Sequence, residues 1–278
     1  PQTCFKGSSV WITGASSGIG EYLAYELARR GAKLALSARS VDKLDLVAAK
    51  CKTLGAEDVL VVRLDVLQFD SHRPALDRIT KRFGQLDVLV NNAGRSQRSL
   101  AELTPVEVDR ECMELNAMAP IALTKAVLPH FIANQGGHIV VTSSVAGKLG
   151  APVSTAYSAA KHACQGFFNA LRLEVRCHNV DVTLVCPGPV DSDIQRHAFT
   201  EAPGKTFGQE TKGDGSARVT TPRCAFLMAC AMFHRVGECW ISKHPVLLFT
   251  YVSQYLPSLA GALATFGEQR VANFKAGI

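Results

Sequence analysis

The sequence predicts an α/β fold, a doubly wound parallel sheet with helices on both faces. Two observations carry that reading. Short runs rich in Val, Leu and Ile alternate with longer segments of helical period from residue 10 to about residue 186. These runs are apolar almost throughout, as expected of strands covered on both faces and joined by crossover helices. A composition of 47% hydrophobic and 19% charged residues over 278 positions supports a sizeable core.

Val10–Thr13 is the first strand, and a helix follows from Gly18 to about Arg30, with Leu23, Leu27 and Ala28 at helical spacing. Gly31 closes it. Lys33–Ser37, Val59–Leu64, Leu86–Val90, His138–Ser143 and Val180–Val185 are the next strands. Helices are expected at Asp42–Leu54, Arg73–Phe83, about Pro105–Asn134 and Thr155–His178. The alternation does not break before about residue 186 and no linker follows, so the whole chain, 1–278, reads as a single domain. About 7–195 form its core, and about 196–278 a substrate lid and a hydrophobic C-terminal extension.

In that tail, residues 199–220 are polar and read as a loop. Residues 220–235 look helical, and Cys239–Ser242 suits a last strand. Pro245–Gly267 then carries no Asp, Glu, Lys, Arg or His. Three readings stand open for it: a buried or substrate-covering pair of short helices, a hairpin or interfacial segment dipping into a membrane, and a transmembrane helix. The net charge of +6 is mild and no run of five basic residues concentrates it, which argues against nucleic acid as a partner. Nine cysteines without paired metal-ligand spacing read as free thiols in a reducing compartment, with no metal site.

Thr13-Gly14-Ala15-Ser16-Ser17-Gly18-Ile19-Gly20 follows the first strand directly. Glycines there let the chain turn sharply and leave room for a pyrophosphate at the helix N-terminus. The second strand ends Ser37-Ala38-Arg39-Ser40, with a guanidinium where an NAD site wants a carboxylate. Arg39 suits a 2′-phosphate, so NADP(H) is the expected cofactor. Asp65, followed by Val66, ends the third strand, with Asp65 placed to accept from the adenine amino group. Asn91-Asn92-Ala93-Gly94 ends the fourth.

Tyr157 and Lys161 lie one helical turn apart, on one face. A free tyrosine titrates near pH 10 and is a poor base at neutrality; a cation beside a phenol stabilises its phenolate. Proton exchange with an alcohol oxygen then becomes feasible. Ser143-Ser144 ends the fifth strand on the same edge, where Ser144 can donate to a substrate oxygen. Asn116, polar within Leu115-Asn116-Ala117-Met118-Ala119-Pro120, is a candidate for bending its helix and holding water.

Thr-Gly-x-x-x-Gly-Ile-Gly, Asn-Asn-Ala-Gly, Asn116, Ser144, Tyr-x-x-x-Lys and Pro187-Gly188-Pro189-Val190 occur in the order and spacing of the short-chain dehydrogenases/reductases, which residues 7–195 resemble. The resemblance implies a Rossmann fold with a seven-stranded sheet, an Asn116–Ser144–Tyr157–Lys161 tetrad, and a cofactor loop in which Val190 and Ser192 stand near the carboxamide. It also implies that Lys161 holds the nicotinamide ribose hydroxyls and that Asn116 anchors a water in a proton relay. Ser37-Ala38-Arg39-Ser40 and Ser143-Ser144-Val145-Ala146-Gly147-Lys148 resemble the NADP(H)-dependent branch that includes the hydroxysteroid 11-beta dehydrogenases, which implies steroids, retinoids and other lipophilic carbonyls as substrates. That branch is commonly attached to the endoplasmic reticulum membrane by an N-terminal segment, and the start at Pro1 suits a chain that has lost one. The expected activity is reversible hydride transfer; the resemblance implies a homodimer or tetramer, with a monomer the alternative if the hydrophobic tail covers that surface. The rival expectation is a non-catalytic NADP(H)-binding regulator or membrane-associated interaction protein, which should have eroded tetrad positions.

Overall fold

The computed structural model describes residues 4–192, 194–208, 218–262 and 265–276. Its strands are β1 (Ser9–Thr13), β2 (Lys33–Ala38), β3 (Asp58–Arg63), β4 (Val88–Asn91), β5 (Gly137–Thr142), β6 (Val180–Pro187), β7 (Val190–Asp191), β8 (Val219–Thr220) and β9 (Glu238–Ile241). Its helices are α1 (Gly18–Ala28), α2 (Val41–Leu54), α3 (His72–Phe83), α4 (Val106–Met113), α5 (Ala119–Ala133), α6 (Thr155–Glu174), α7 (Thr221–Phe233), α8 (Val246–Tyr255), α9 (Pro257–Ala262) and α10 (Thr265–Lys275). Several ends shift from the expected ones by a residue or two. The largest shift is at α6, which stops at Glu174, with a 3₁₀ turn over Arg176–His178 beyond it.

The main sheet is seven-stranded and parallel, in the order β3-β2-β1-β4-β5-β6-β9. The chain winds outward through β1, β2 and β3, then returns to place β4 on the other side of β1. The carboxyl ends of β1 and β4 therefore flank a crevice where the winding reverses, the usual ligand position in such sheets.

Side-chain alternation along each strand builds a core on either face. Val10 and Ile12 of β1 pack with Leu23, Leu27, Leu44 and Met228, beneath α1, α2 and α7. Trp11, between them, faces Leu76, Ile79, Val127, Phe131 and Phe168, beneath α3, α5 and α6. Its indole N–H donates to Ser37 Oγ at 2.8 Å, so the polar end of this fully buried side chain is satisfied. Each large aliphatic side chain in these layers contributes about 1.5–3 kcal/mol through burial.

The helical stretch expected over 105–134 is α4, a π turn at Glu114–Met118, and α5. Val106–Ala133 is, among the described residues, the one helical run long and apolar enough to cross a membrane. Val108, Leu123, Val127 and Phe131 on it are buried in the protein core, as in a core helix.

The pair of short helices open as one reading of the tail forms as α8 and α9, parted at Leu256, and most of their residues are not buried. Thr250 and Ala260 are buried, while Leu248, Tyr251, Tyr255, Leu256 and Leu259 are exposed. Neither α8 nor α9 has the length of a bilayer span. In the preceding loop, Phe199 bridges to Gln97 and to Thr206; the expected loop residues 209–217 lie outside the described ones.

Candidate active site

The β1–α1 turn is built on Gly14, whose φ of +64° lies in the left-handed region and whose missing Cβ would stand 2.9 Å from Ala93 Cα. Ser17 occupies the N-cap of α1 without a capping side-chain hydrogen bond. Among the described residues the first-turn N–H groups of α1 have no side-chain acceptor, and they fit a phosphate of a dinucleotide. Ser16 and Ile19 are half-buried beside them. Gly18 faces Ser192, its Cβ position 3.7 Å from that of Ser192, while Gly20 lies buried against Gly14 and Asn92.

At the end of β2, Arg39 is exposed, and no acid pairs with it among the described residues. Its charge reaches Arg95. Burial first, and the like charge of Arg39 second, push the Arg95 guanidinium below its ordinary range. Asp65, half-buried just past β3, accepts from Leu67 N–H at 3.1 Å. Val66 lines a small cavity with Thr13, Asn91, Ala93, Ala119 and Pro120, directly at the switch point.

Thr13 holds this crevice together. Its hydroxyl donates to Val90 O at 3.2 Å and accepts from the N–H groups of Asn92 and Ala93, at 3.0 and 3.2 Å. Asn92 Nδ2 donates to Thr13 O at 3.1 Å, and its Oδ1 accepts from Thr142 Oγ1 at 3.1 Å, joining β1, β4 and β5.

Tyr157 and Lys161 come together as their spacing predicts. Lys161 Nζ lies 5.5 Å from the centre of the Tyr157 ring and donates to Thr142 O at 2.9 Å. Lys161 is buried, Tyr157 half-buried. Gly94 separates Lys161 from Asn116: a Cβ on it would stand 2.7 Å from Asn116 Oδ1 and 3.8 Å from Lys161 Nζ. Asn116 sits inside the π turn. It is fully buried; Oδ1 accepts from Arg95 N–H at 3.1 Å, Nδ2 donates to Cys112 O at 3.0 Å, and its own carbonyl accepts from the Cys164 thiol at 3.1 Å. Ser144 Oγ donates to Pro187 O at 3.2 Å and accepts from Ala146 N–H at 3.1 Å. The carboxyl end of β6 thereby joins the site, with Gly188 N–H donating to Ile241 O at 2.9 Å and Val190 paired to Val219.

Three residues escaped the sequence reading. Thr13 and Thr142 carry ordinary strand-end side chains, and nothing in the sequence reveals their partners. Gln97 is fully buried, and its Oε1 accepts from the N–H groups of Ala156 and Tyr157, at 2.9 and 3.3 Å. A glutamine just after Asn-Asn-Ala-Gly was the available signal. The nine cysteines are all free.

Residues 8–203 match the short chain dehydrogenase family, and the chain belongs to that family of oxidoreductases. Among individual relatives, it is 44% identical over 274 residues to human dehydrogenase/reductase SDR family member 7, covering 97% of this chain and 80% of the relative. It is 35% identical to family member 7B from Rattus norvegicus, covering 95% and 79%. An alcohol dehydrogenase from Thermococcus sibiricus, complexed with 5-hydroxy-NADP, superposes with a TM-score of 0.74 at 28% identity, over 85% of this chain and 97% of that one. A short chain dehydrogenase/reductase from Burkholderia phymatum in complex with NAD gives 0.79 at 26%, over 92% and 95%.

Proposed function

We propose that the chain is an NADP(H)-dependent oxidoreductase acting on lipophilic ketones, aldehydes or secondary alcohols, of the steroid or retinoid kind. The observation that carries this is the Tyr157–Lys161 pair beside Gly94, at the carboxyl edge of the sheet where the glycine turn opens. The dinucleotide, when bound, supplies or accepts the hydride. Ser16, Ser17 and the first turn of α1 hold its phosphates, and Arg39 takes the 2′-phosphate. Asp65 and Val66 flank the adenine; Asn92, Ala93 and Gly94 border the ribose; Pro187, Gly188, Val190 and Ser192 border the carboxamide.

Around the reacting centre, Tyr157 gives a proton to the substrate oxygen in reduction and takes one in oxidation. Ser144 donates to the same oxygen and orients it. Lys161 faces Tyr157 and the ribose hydroxyls, and Asn116 holds the backbone of Arg95 next to it. The apolar α8–α9 surface supports a place at a membrane, as at the endoplasmic reticulum.

The test follows absorbance of NADPH and of NADH, in parallel, with steroid, retinoid and quinone carbonyls. Turnover with NADPH, lost by at least about 100-fold in Tyr157→Phe with NADPH affinity retained, supports the reading. A Tyr157→Phe enzyme as fast as the parent overturns it.

A further inference from the structure

We infer that Gln97 is a positioning residue for Tyr157, capping helix α6 from a distant loop in place of the helix's own N-cap side chain. The inference rests on the proposed role of Tyr157. The N-cap of α6 is Ser154, and the positions after it make Ala156 and Tyr157 the second and third residues of the helix. Their N–H groups are the two that an N-cap side chain ordinarily takes. Ser154 makes no such bond; its hydroxyl instead donates to Gln97 O at 2.8 Å. The Gln97 side chain reaches in from the loop after β4 and accepts from both orphaned N–H groups.

The cap is held from several sides. Arg98 Nη1 shares its two hydrogens among Gln97 O, Ser96 Oγ and Ser154 Oγ, at 2.6, 3.0 and 2.8 Å. Ser99 N–H donates to Val153 O at 3.1 Å. On its other side this strip meets the loop after β6: Phe199 N–H donates to Ser96 O and Arg98 N–H to Phe199 O, both at 2.8 Å. One buried strip thus ties the start of the reacting helix to a loop bordering the site. Gln97 Nε2 is buried and has no partner among the described residues, where the carbonyl end alone makes side-chain hydrogen bonds. A buried amide in that state is costly. The cap gives it a reason to be there.

Gln97→Met keeps the volume and removes the acceptor. The expected result is amide hydrogen exchange about tenfold faster at Ala156 and Tyr157. Mid-helix amides such as Ala160 should keep their protection. With the best carbonyl from the panel, kcat falls about tenfold, KM for NADPH stays within twofold, and the solvent isotope effect on kcat grows as proton transfer becomes slower. Exchange unchanged at Tyr157, or faster exchange with kcat and isotope effect both at parental values, overturns the inference. If Gln97→Met does not fold, Gln97→Glu keeps an acceptor oxygen and forfeits no bond from Nε2. It should retain first-turn protection, and loss of protection there sinks the idea equally. Tyr157→Phe run alongside separates the two failures: an active Tyr157→Phe refutes the proposed function, whereas an inactive one beside a normal Gln97→Met refutes only the cap.

Discussion

Lys161 Nζ stands between two groups, donating to Thr142 O at 2.9 Å while lying 5.5 Å from the ring centre of Tyr157. A buried ammonium with so few partners is poorly compensated, which points to chemistry as its reason for being there. Replacing it by an apolar isostere leaves only the Thr142 carbonyl unpaired. Lys161→Met should therefore fold, with a melting temperature within a few degrees of the parent. Turnover should drop by more than about 100-fold. Thermal unfolding and NADPH turnover measured on the same sample check this, and a Lys161→Met enzyme that turns over normally contradicts it.

Arg39 tests the cofactor assignment. It is exposed at the end of β2 with no acid paired to it among the described residues. Arg39→Asp removes a fork donor for the 2′-phosphate and adds a repelling charge. The ratio of kcat/KM for NADPH over NADH should fall by about two orders of magnitude. A ratio left unchanged would assign the discrimination to another group.

Asn116→Ala should hurt both fold and chemistry. It removes the acceptor of Arg95 N–H and the donor to Cys112 O inside a fully buried π turn. Leaving such groups unpaired costs about 1–3 kcal/mol. Urea unfolding should show that loss, together with reduced turnover. Unchanged stability would mean that the π turn does not depend on this side chain.

His138 predicts an acid-side weakness unrelated to catalysis. It is buried in β5, its Nε2 2.8 Å from Thr183 Oγ1, and burial above all lowers its pKa from 6.5 to about 4. The nearby Arg235 adds to the lowering and Asp181 opposes it. Between these two values the unfolded chain binds a proton that the folded chain refuses. Stability from this group is then complete above pH 6.5 and declines toward pH 4, by up to about 3 kcal/mol. Unfolding free energies across that range should slope downward with acid, and His138→Gln should flatten the slope. An equal slope in the variant would exonerate His138.

The individual strands and helices, the glycine turn and the Tyr157–Lys161 pair were legible because each shows in residues a few positions apart, where period and spacing speak directly. The π turn at Glu114–Met118 was not, since one widened turn leaves the apolar period of its neighbours nearly intact. The Gln97 cap joins positions sixty residues apart, |i−j| = 60 at Tyr157, and no local pattern encodes such a meeting. Pro245–Gly267 was legible only in part. Its lack of charge fits a core and a membrane face alike, so three readings stayed open; the chain breaks at Leu256–Pro257 into short helices, and Tyr255 stays 73% exposed.

The strand order also dictates a schedule for a chain emerging from the ribosome. β1 carries a bare flank until β4 arrives at Val88–Asn91, and β6 carries another until β9 arrives at Glu238–Ile241. Open parallel edges invite pairing with foreign strands. Nascent chains stalled before residue 238 should therefore clump or call on chaperones, although every group proposed for the chemistry has already been synthesised.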